Sequence, residues 1–446
     1  MPTVSVSDVR FIERDQEAIP EFALSAPTGG AEHDSYALTL SGHVVTREAP
    51  AHGLEFRCRE EAPVWIPNAL PRPDVGQAYP DLPWAVSRSG FHAGVSVLPL
   101  PNEFTAELHL VTQDKRRIPL AEITGRHESP RISDSGVAPL MVTTLGRTGS
   151  TWVINLLSHH PDVVAYPAFK GEVRCATYWT DVLAALTSPA SYLQGIRTQA
   201  AGNLWWLGNS RRFDEVLDDD DIETWLGKGQ VEEMVRFYKQ RLDDFYFHLA
   251  ERTGRSTPRY FAEKALPSTK LTLLRQLYPG LKEVFLVRDF RDMLTSIFAF
   301  NRAKGFHSFG RELAQSDEQY VRKFLGPDVN RLLRGWRERS DRAHLLRYED
   351  LVNEPRPTLR ALFSYLELDS SEPMIDRILA ASEERPSAQQ QGHPTTATQA
   401  ESLQRWRREL SPELQAACEE AFANALEGFG YELDPSRTPE SPVSAA

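Results

Sequence analysis

Cysteine is scarce in this chain. Cys58, Cys175 and Cys418 are scattered over 446 residues. None has the paired spacing of a zinc site, and an odd, sparse set excludes a disulfide framework. A reducing, cytoplasmic setting is the expectation. Long apolar runs are missing too, since none approaches the ~20 residues of a membrane helix. The opening stretch, MPTVSVSDVRFIERDQEAIPE, holds no apolar core of the secretion-signal kind, so no signal is expected. Positive charge is in deficit: 50 Lys and Arg face 62 Asp and Glu, a net charge of -12. That excludes sequence-independent nucleic-acid binding, which needs a basic surface. An acidic average still leaves room for one basic cleft. No internal repeat is present.

What remains is a globular composition, 41% apolar and 25% charged. The length exceeds one ordinary core and predicts two domains. Residues 1–135 read as a β-rich accessory domain. Short alternating or β-branched runs recur there (SYALTLSGHVV, GLEFRCRE, GVSVLPL, FTAELHLVT), separated by turns rich in proline and glycine. This pattern predicts an all-β sandwich or small barrel. The polar stretch Thr124 to Pro139 reads as the linker.

Residues 136–446 read differently. PLMVTTLG is a candidate buried strand, and STWVINLLSHH follows with helical apolar spacing at Trp152, Ile154, Leu156 and Leu157. EVFLV and RDMLTSIFAF form a second strand and helix, and AHLLRYEDL a third strand. Alternation of this kind predicts an open parallel α/β sheet flanked by helices. A helical insert is expected over 177–255. It carries Trp205 and Trp206, either helix packing or a platform for an acceptor ring. Its acidic run LDDDDIETW, with Asp218 or Asp219 as a helix cap, reads as a solvated helix start. The tail SRTPESPVSAA reads as disordered.

The segment TTLGRTGSTW is where chemistry concentrates. A strand, a glycine turn and a helix start make an anion site, because first-turn N–H groups point outward and the helix dipole favours negative charge. Gly146 and Gly149 allow close approach, and Ser150 and Thr151 add hydroxyl donors. A plain strand-to-helix connection would also read this way. The triphosphatase pattern G-x-x-x-x-G-K-[S/T] is not met: the turn is shorter and Arg147 precedes Gly149. Asp289, which follows EVFLV, sits directly after an arginine and is no obvious magnesium partner. The loop suits a smaller 5′-phosphate group without metal.

Leu145-Gly-Arg-Thr-Gly-Ser-Thr-Trp152, followed by HHPDV, resembles the phosphosulfate loop of sulfotransferases that use 3′-phosphoadenosine 5′-phosphosulfate (PAPS). Arg147 matches the arginine branch, which includes bacterial and tyrosylprotein enzymes, and Gly146 stands where proline is usual. EVFLVRDFRDMLTSIFAF resembles the 3′-phosphate segment, with Arg288 and Ser296 at the family spacing and Phe290 in place of a proline. LLRYEDLVNEP resembles the next segment, with Tyr348 as an adenine contact. The C-terminal stretch resembles the tyrosylprotein-type ending, with Arg405 before Trp406 closing over the cofactor. The resemblance covers about Leu140 to Leu433 and implies a P-loop-like α/β sulfotransferase.

It also implies residue roles. Arg147, Thr148, Gly149, Ser150, Thr151, Trp152, Arg288, Ser296, Tyr348 and Arg405 would hold PAPS, with no metal. Arg147 would stabilise charge on the transferring group. The histidine base of the cytosolic branch is replaced by Ala265, so Glu172, in an E-x-x-R-like context with Arg174, is the candidate base. A cap on the next helix is the other reading of Glu172. Lys264 would touch the sulfuryl group or the acceptor, or be a surface lysine at a strand end. Glu263 is the second candidate base. His159 and His160 read as a helix C-terminal cap, and His393 as a possible cofactor contact from the C-terminal loop.

The acceptor is not written in these motifs. GLEFRCREEAPVWIPNALPRPDVGQAYPDLPWAVSRSGF resembles modules attached to bacterial glycosyltransferases and sulfotransferases. That implies a glycan, glycolipid or other cell-envelope or secondary-metabolite acceptor, while peptide tyrosine or a phenol stays open. The partners expected are a small-molecule or glycan acceptor, with room for a homo-oligomer. Two other classes compete. A P-loop kinase or nucleotide-binding protein would need ATP-magnesium, and a dead carbohydrate-binding scaffold would not need Arg147, Arg288 and Ser296.

Overall fold

The computed structural model describes residues 2–58, 63–132, 134–166, 172–187, 224–267, 271–383 and 395–433. Trp205, Trp206, Asp218, Asp219, His393 and the tail lie outside the described residues. The chain divides into two compact units. The first comprises Met1–Ser133, Thr177–Leu242 and Lys270–Pro279, and the second Asp134–Ala176, Asp243–Thr269 and Gly280–Ala446.

In the first unit nine strands form two antiparallel sheets. They are β1 (Val4–Phe11), β2 (Glu21–Ala26), β3 (Glu32–His33), β4 (Ala37–Val45), β5 (Gly53–Arg57), β6 (Val64–Ile66), β7 (Gly90–Ser96), β8 (Glu103–Val111) and β9 (Arg117–His127). One sheet has the order β3-β1-β9-β8-β5-β6 and the other β2-β4-β7. Alternation decides which side chains turn inward. On β8, Phe104, Ala106, Leu108 and Leu110 are buried while Glu103, Thr105 and Glu107 are exposed. The expected linker begins too early. Thr124 to His127 are the end of β9, paired on both sides with β1 and β8, because ladder bonds and the buried Ile123 outweigh the local turn signal.

The second unit is built on a five-stranded parallel sheet. Its strands are β10 (Ala138–Thr143), β11 (Val163–Val164), β12 (Tyr260–Ala265), β13 (Lys282–Val287) and β14 (Ala343–Arg347), in the order β11-β12-β10-β13-β14. Both faces are covered, which is why these strands read as continuous apolar runs. On β13, Val284 and Leu286 pack in the core that holds Val153, Ile154 and Leu157 of the helix Ser150–Ser158. Phe285 and Val287 pack in the other core, with Met293 and Ile297 of the helix Phe290–Lys304 and Phe422 of the helix Pro412–Gly428.

Register places the site. Thr143, the last residue of central β10, pairs with Ala265 of β12 and Phe285 of β13. β10 and β12 therefore finish level and β13 runs two residues further, so their carboxyl ends lie side by side, where open parallel sheets bind ligands. The third strand is shorter than its sequence run, and Tyr348 opens the helix Tyr348–Asn353 instead. Among the described residues no helix is long and apolar enough to cross a membrane.

Candidate active site

The whole candidate site lies in the second unit. The turn after β10 bends through Arg147 at φ 68° and Gly149 at φ 91°. Glycine adopts that conformation freely, whereas arginine is strained in it. Gly149 is also sterically required, since a Cβ there would come within 2.5 Å of the Tyr348 ring. Gly146, the departure from the usual proline, has a local cause: a Cβ would meet the Phe309 ring at 2.6 Å.

Thr148 is wholly buried. Its hydroxyl pairs with the Thr144 hydroxyl at 2.6 Å and donates to the Leu145 carbonyl at 3.0 Å. Thr144 also donates to the Leu286 carbonyl at 2.7 Å. The Thr148 side chain thus braces the turn against β13. Ser150 and Thr151 open the helix, and as first-turn residues their N–H groups have no partner within it, whereas the Trp152 N–H donates to the Gly149 carbonyl at 3.0 Å.

Arg288 leaves the end of β13 and is buried. It donates to the carbonyls of Arg147 at 3.2 Å and Ser402 at 2.5 Å, and its guanidinium lies 4.8 Å over the Tyr348 ring. Its Nε is buried without a hydrogen-bond partner. Ser296, on the helix that follows, is buried too and accepts from Arg147 Nε at 3.2 Å. The edge of Trp152 meets Tyr348 at 5.7 Å, and the Tyr348 hydroxyl pairs with that of Ser402 at 3.1 Å.

A C-terminal segment brings the third arginine. Arg405 holds Glu409 with Nε at 2.8 Å and a terminal nitrogen at 2.9 Å, and reaches Thr395 at 3.0 Å. Asp292 anchors this segment, accepting the N–H groups of Gln404 at 2.6 Å and Trp406 at 3.0 Å. Burial pushes the Asp292 carboxyl up to about 6 despite those bonds. Asp289 is spent on Arg291, which it holds at 2.8 Å, and on capping its own helix.

These guanidinium groups act on one another. Burial first, then the charges of Arg288 and Arg405, push Arg147 down to about 10. Lys264 is likewise lowered, by burial first and then by Arg174 and Arg147, against the opposing pull of Glu172. A protein of net charge -12 thus brings Arg147, Arg174, Arg288, Arg405 and Lys264 near one turn.

Lys264 corrects one expectation. It is buried, not a surface lysine, and it donates to Thr151 Oγ1 at 3.1 Å while also contacting the Glu172 carboxylate. Glu172 is half-exposed and lies 3.6 Å from Arg174. The structure therefore brings Glu172, Lys264 and Thr151 into one chain of contacts. Glu263 is removed as a second candidate base. Adjacent strand residues face opposite ways, and Glu263 points to the start of the helix Cys175–Leu186. There it accepts the N–H groups of Cys175 at 2.8 Å and Ala176 at 3.1 Å, wholly enclosed, with burial pushing its carboxyl up to about 7. The capping role considered for Glu172 thus belongs to Glu263. His160 is corrected as well: it is fully buried with a lowered pKa, so it is neutral and no helix-end cation, while His159 takes the cap position.

Sequence reading missed Asp292, Thr395, Ser402, Phe300 and Phe309. Asp292 was the most accessible, since it falls inside the 3′-phosphate segment four residues before Ser296. Phe300 ends that same segment, on the helix that carries Ser296, whereas Thr395, Ser402 and Phe309 come from loops and a helix end that only the fold brings near the turn.

A family model described as "Sulfotransferase family" matches residues 139–372. Cytosolic sulfotransferase 15 of Arabidopsis thaliana is 30% identical over 174 residues, 37% of this chain and 46% of that protein. The match thus spans about half the length of this curated relative. Among solved structures, the sulfotransferase domain of the Synechococcus PCC 7002 olefin synthase is 18% identical, covering 69% of this chain and 98% of that one, with a TM-score of 0.36. The sulfotransferase domain of the curacin biosynthetic pathway is 20% identical, covering 67% and 99%, with a TM-score of 0.38. Mouse sulfotransferase SULT7A1, complexed with PAP, is 12% identical, covering 66% and 86%, with a TM-score of 0.36. The family match takes in the glycine turn, the Arg288–Ser296 segment and the strand that ends just before Tyr348, and the chain belongs to the sulfotransferase family.

Proposed function

We propose that this protein transfers a sulfuryl group from PAPS to an acceptor hydroxyl. The observation that carries this reading is the gathering of Arg147, Arg288 and Arg405 around a helix start, where burial first and then the two neighbouring charges lower Arg147. Arg405 is already paired with Glu409, and like charges brought together raise one another's energy, which favours a further anion beside Arg147 and Arg288. The orphaned Nε of Arg288 is a donor still seeking an acceptor. Both features fit a ligand with phosphate at two positions.

When bound, PAPS supplies the sulfuryl group and a phosphate leaving group. Arg288 and Ser296 hold the 3′-phosphate, through a planar fork and a hydroxyl eight positions apart. The turn N–H groups from Thr148 to Thr151 hold the 5′ end, with Arg147 set to offset charge that grows there. Tyr348 and Trp152 flank the adenine, and Arg405 covers the site. Lys264 links Thr151 to Glu172 and positions both. Glu172 accepts the acceptor hydroxyl's proton on a carboxylate oxygen. Positioning and electrostatics dominate such a transfer, as in phosphoryl transfer.

The acceptor in this reading is a glycan, glycolipid or other cell-envelope or secondary metabolite. The resemblance of the N-terminal region to modules on glycan-handling enzymes supports it. Residues 1–135 are then the accessory domain and 136–446 the transferase, working in the cytoplasm. The test is transfer of labelled sulfate from PAPS to panels of glycans, glycolipids, phenols and tyrosine peptides, with a chelator present. Label on a hydroxyl of the first two panels supports the reading. Label confined to phenols or tyrosine moves the acceptor, and magnesium-dependent use of ATP overturns the reaction.

A further inference from the structure

Phe309 is a bulky residue in a conformation that bulky residues avoid. Its φ is 61°, in the left-handed region. Its ring lies directly on Gly146, so that a Cβ there would fall 2.6 Å from Cδ1 and 2.7 Å from Cε1. The same ring meets Phe300 edge-on at 5.7 Å, and Phe300 carries the Arg147 guanidinium on its face at 4.8 Å.

The strained turn is tethered from outside. Tyr320, fully buried, donates its hydroxyl to the Phe309 carbonyl at 2.7 Å. The Ser308 hydroxyl donates to Asn301 Oδ1 at 2.6 Å. Asn301 lies on the helix that also carries Ser296. Strained residues persist only where the surroundings over-determine them, and they gather at working sites. Phe309 remains 42% exposed, so burial of its ring does not explain the strain.

We propose that Phe309 is a positioning residue for the anion turn: with Phe300 it clamps Gly146 and Arg147, holding the guanidinium in place before a ligand arrives. It acts through Arg147 and touches no reacting atom. The role rests on reading the turn as the phosphosulfate site.

The test uses Phe309→Gly, Phe309→Tyr, Gly146→Ala and the double variant Gly146→Ala/Phe309→Gly in the full chain. Melting temperature and affinity for 3′-phosphoadenosine 5′-phosphate are read for each. Phe309→Gly relieves left-handed strain, so melting holds or rises, while nucleotide affinity falls roughly threefold to tenfold. Phe309→Tyr keeps the ring and keeps the affinity. Gly146→Ala melts lower, because its methyl meets the ring, and adding Phe309→Gly restores it, a non-additive cycle. Loss of stability in Phe309→Gly would make the ring an ordinary packing residue and overturn the proposal. Wild-type affinity in that variant, or an additive cycle, would do the same. A wild-type protein that binds no nucleotide would overturn the phosphosulfate reading and this role with it, while the melting cycle would still report the contact.

Discussion

Arg147 donates from Nε to the hydroxyl of Ser296 at 3.2 Å, joining residues 149 positions apart in the chain. One belongs to the turn after β10 and the other to the helix after β13. Two strand-to-helix units are thereby fastened side by side. The predictions below follow from that junction and from the residues that hold it.

Arg288→Ala is expected to weaken binding of 3′-phosphoadenosine 5′-phosphate by roughly tenfold to a hundredfold, the size of a lost charge-assisted hydrogen bond. Affinity for 5′-AMP, which has no 3′-phosphate, should change far less. Titration calorimetry with both nucleotides checks this. An equal loss for the two would remove Arg288 from the 3′-phosphate.

Glu172→Gln is expected to leave nucleotide affinity within about twofold and to lower turnover about a hundredfold or more, the range of general-base catalysis. Pre-steady-state transfer at saturating PAPS separates the two effects. Affinity and turnover falling together would make Glu172 a binding residue.

Asp292→Ala should release the backbone it holds. Amide exchange at Gln404 and Trp406 is expected to speed up, because each loses its acceptor. Nucleotide affinity should fall through the displaced Arg405, although Asp292 itself touches no ligand. Unchanged exchange at both amides would show that the segment is held by other contacts.

Glu263 gives a pH signature. Its folded pKa is raised from the ordinary 4.5 to about 7, so between those values the folded chain binds a proton that the unfolded chain releases. Its contribution to stability is therefore fully present below about 4.5 and is lost as pH rises to about 7, with a slope approaching ~1.4 kcal/mol per pH unit. Urea unfolding of wild type and Glu263→Gln across this range isolates the effect as their difference. A difference that is flat with pH would contradict it.

The legible parts of this protein were those whose physics is local. The anion turn announced itself because a strand, a glycine turn and a helix start are contiguous. Arg288 and Ser296 were legible through the segment's resemblance to the sulfotransferase 3′-phosphate motif, whose spacing one strand-to-helix unit carries. Strand period gave β8 but not the end of β9, where pairing from both sides overrode the glycine and polar residues of TGRH. Lys264 and Glu263 are adjacent in sequence, and pleat alone sends one to the turn and the other to a helix start. Nothing local separates them. Phe309, Thr395 and Ser402 reach the site from loops and helix ends far along the chain, and their strain or contacts exist only after folding.

In the proposed function this turn and its arginines hold a nucleotide carrying both a 5′- and a 3′-phosphate. Calorimetric titration of the full chain with 3′-phosphoadenosine 5′-phosphate, with 5′-AMP and ATP-magnesium in parallel, tests that directly. Tight binding that requires the 3′-phosphate and persists in chelator is expected. Absence of binding, or preference for ATP-magnesium, would overturn the sulfotransfer reading.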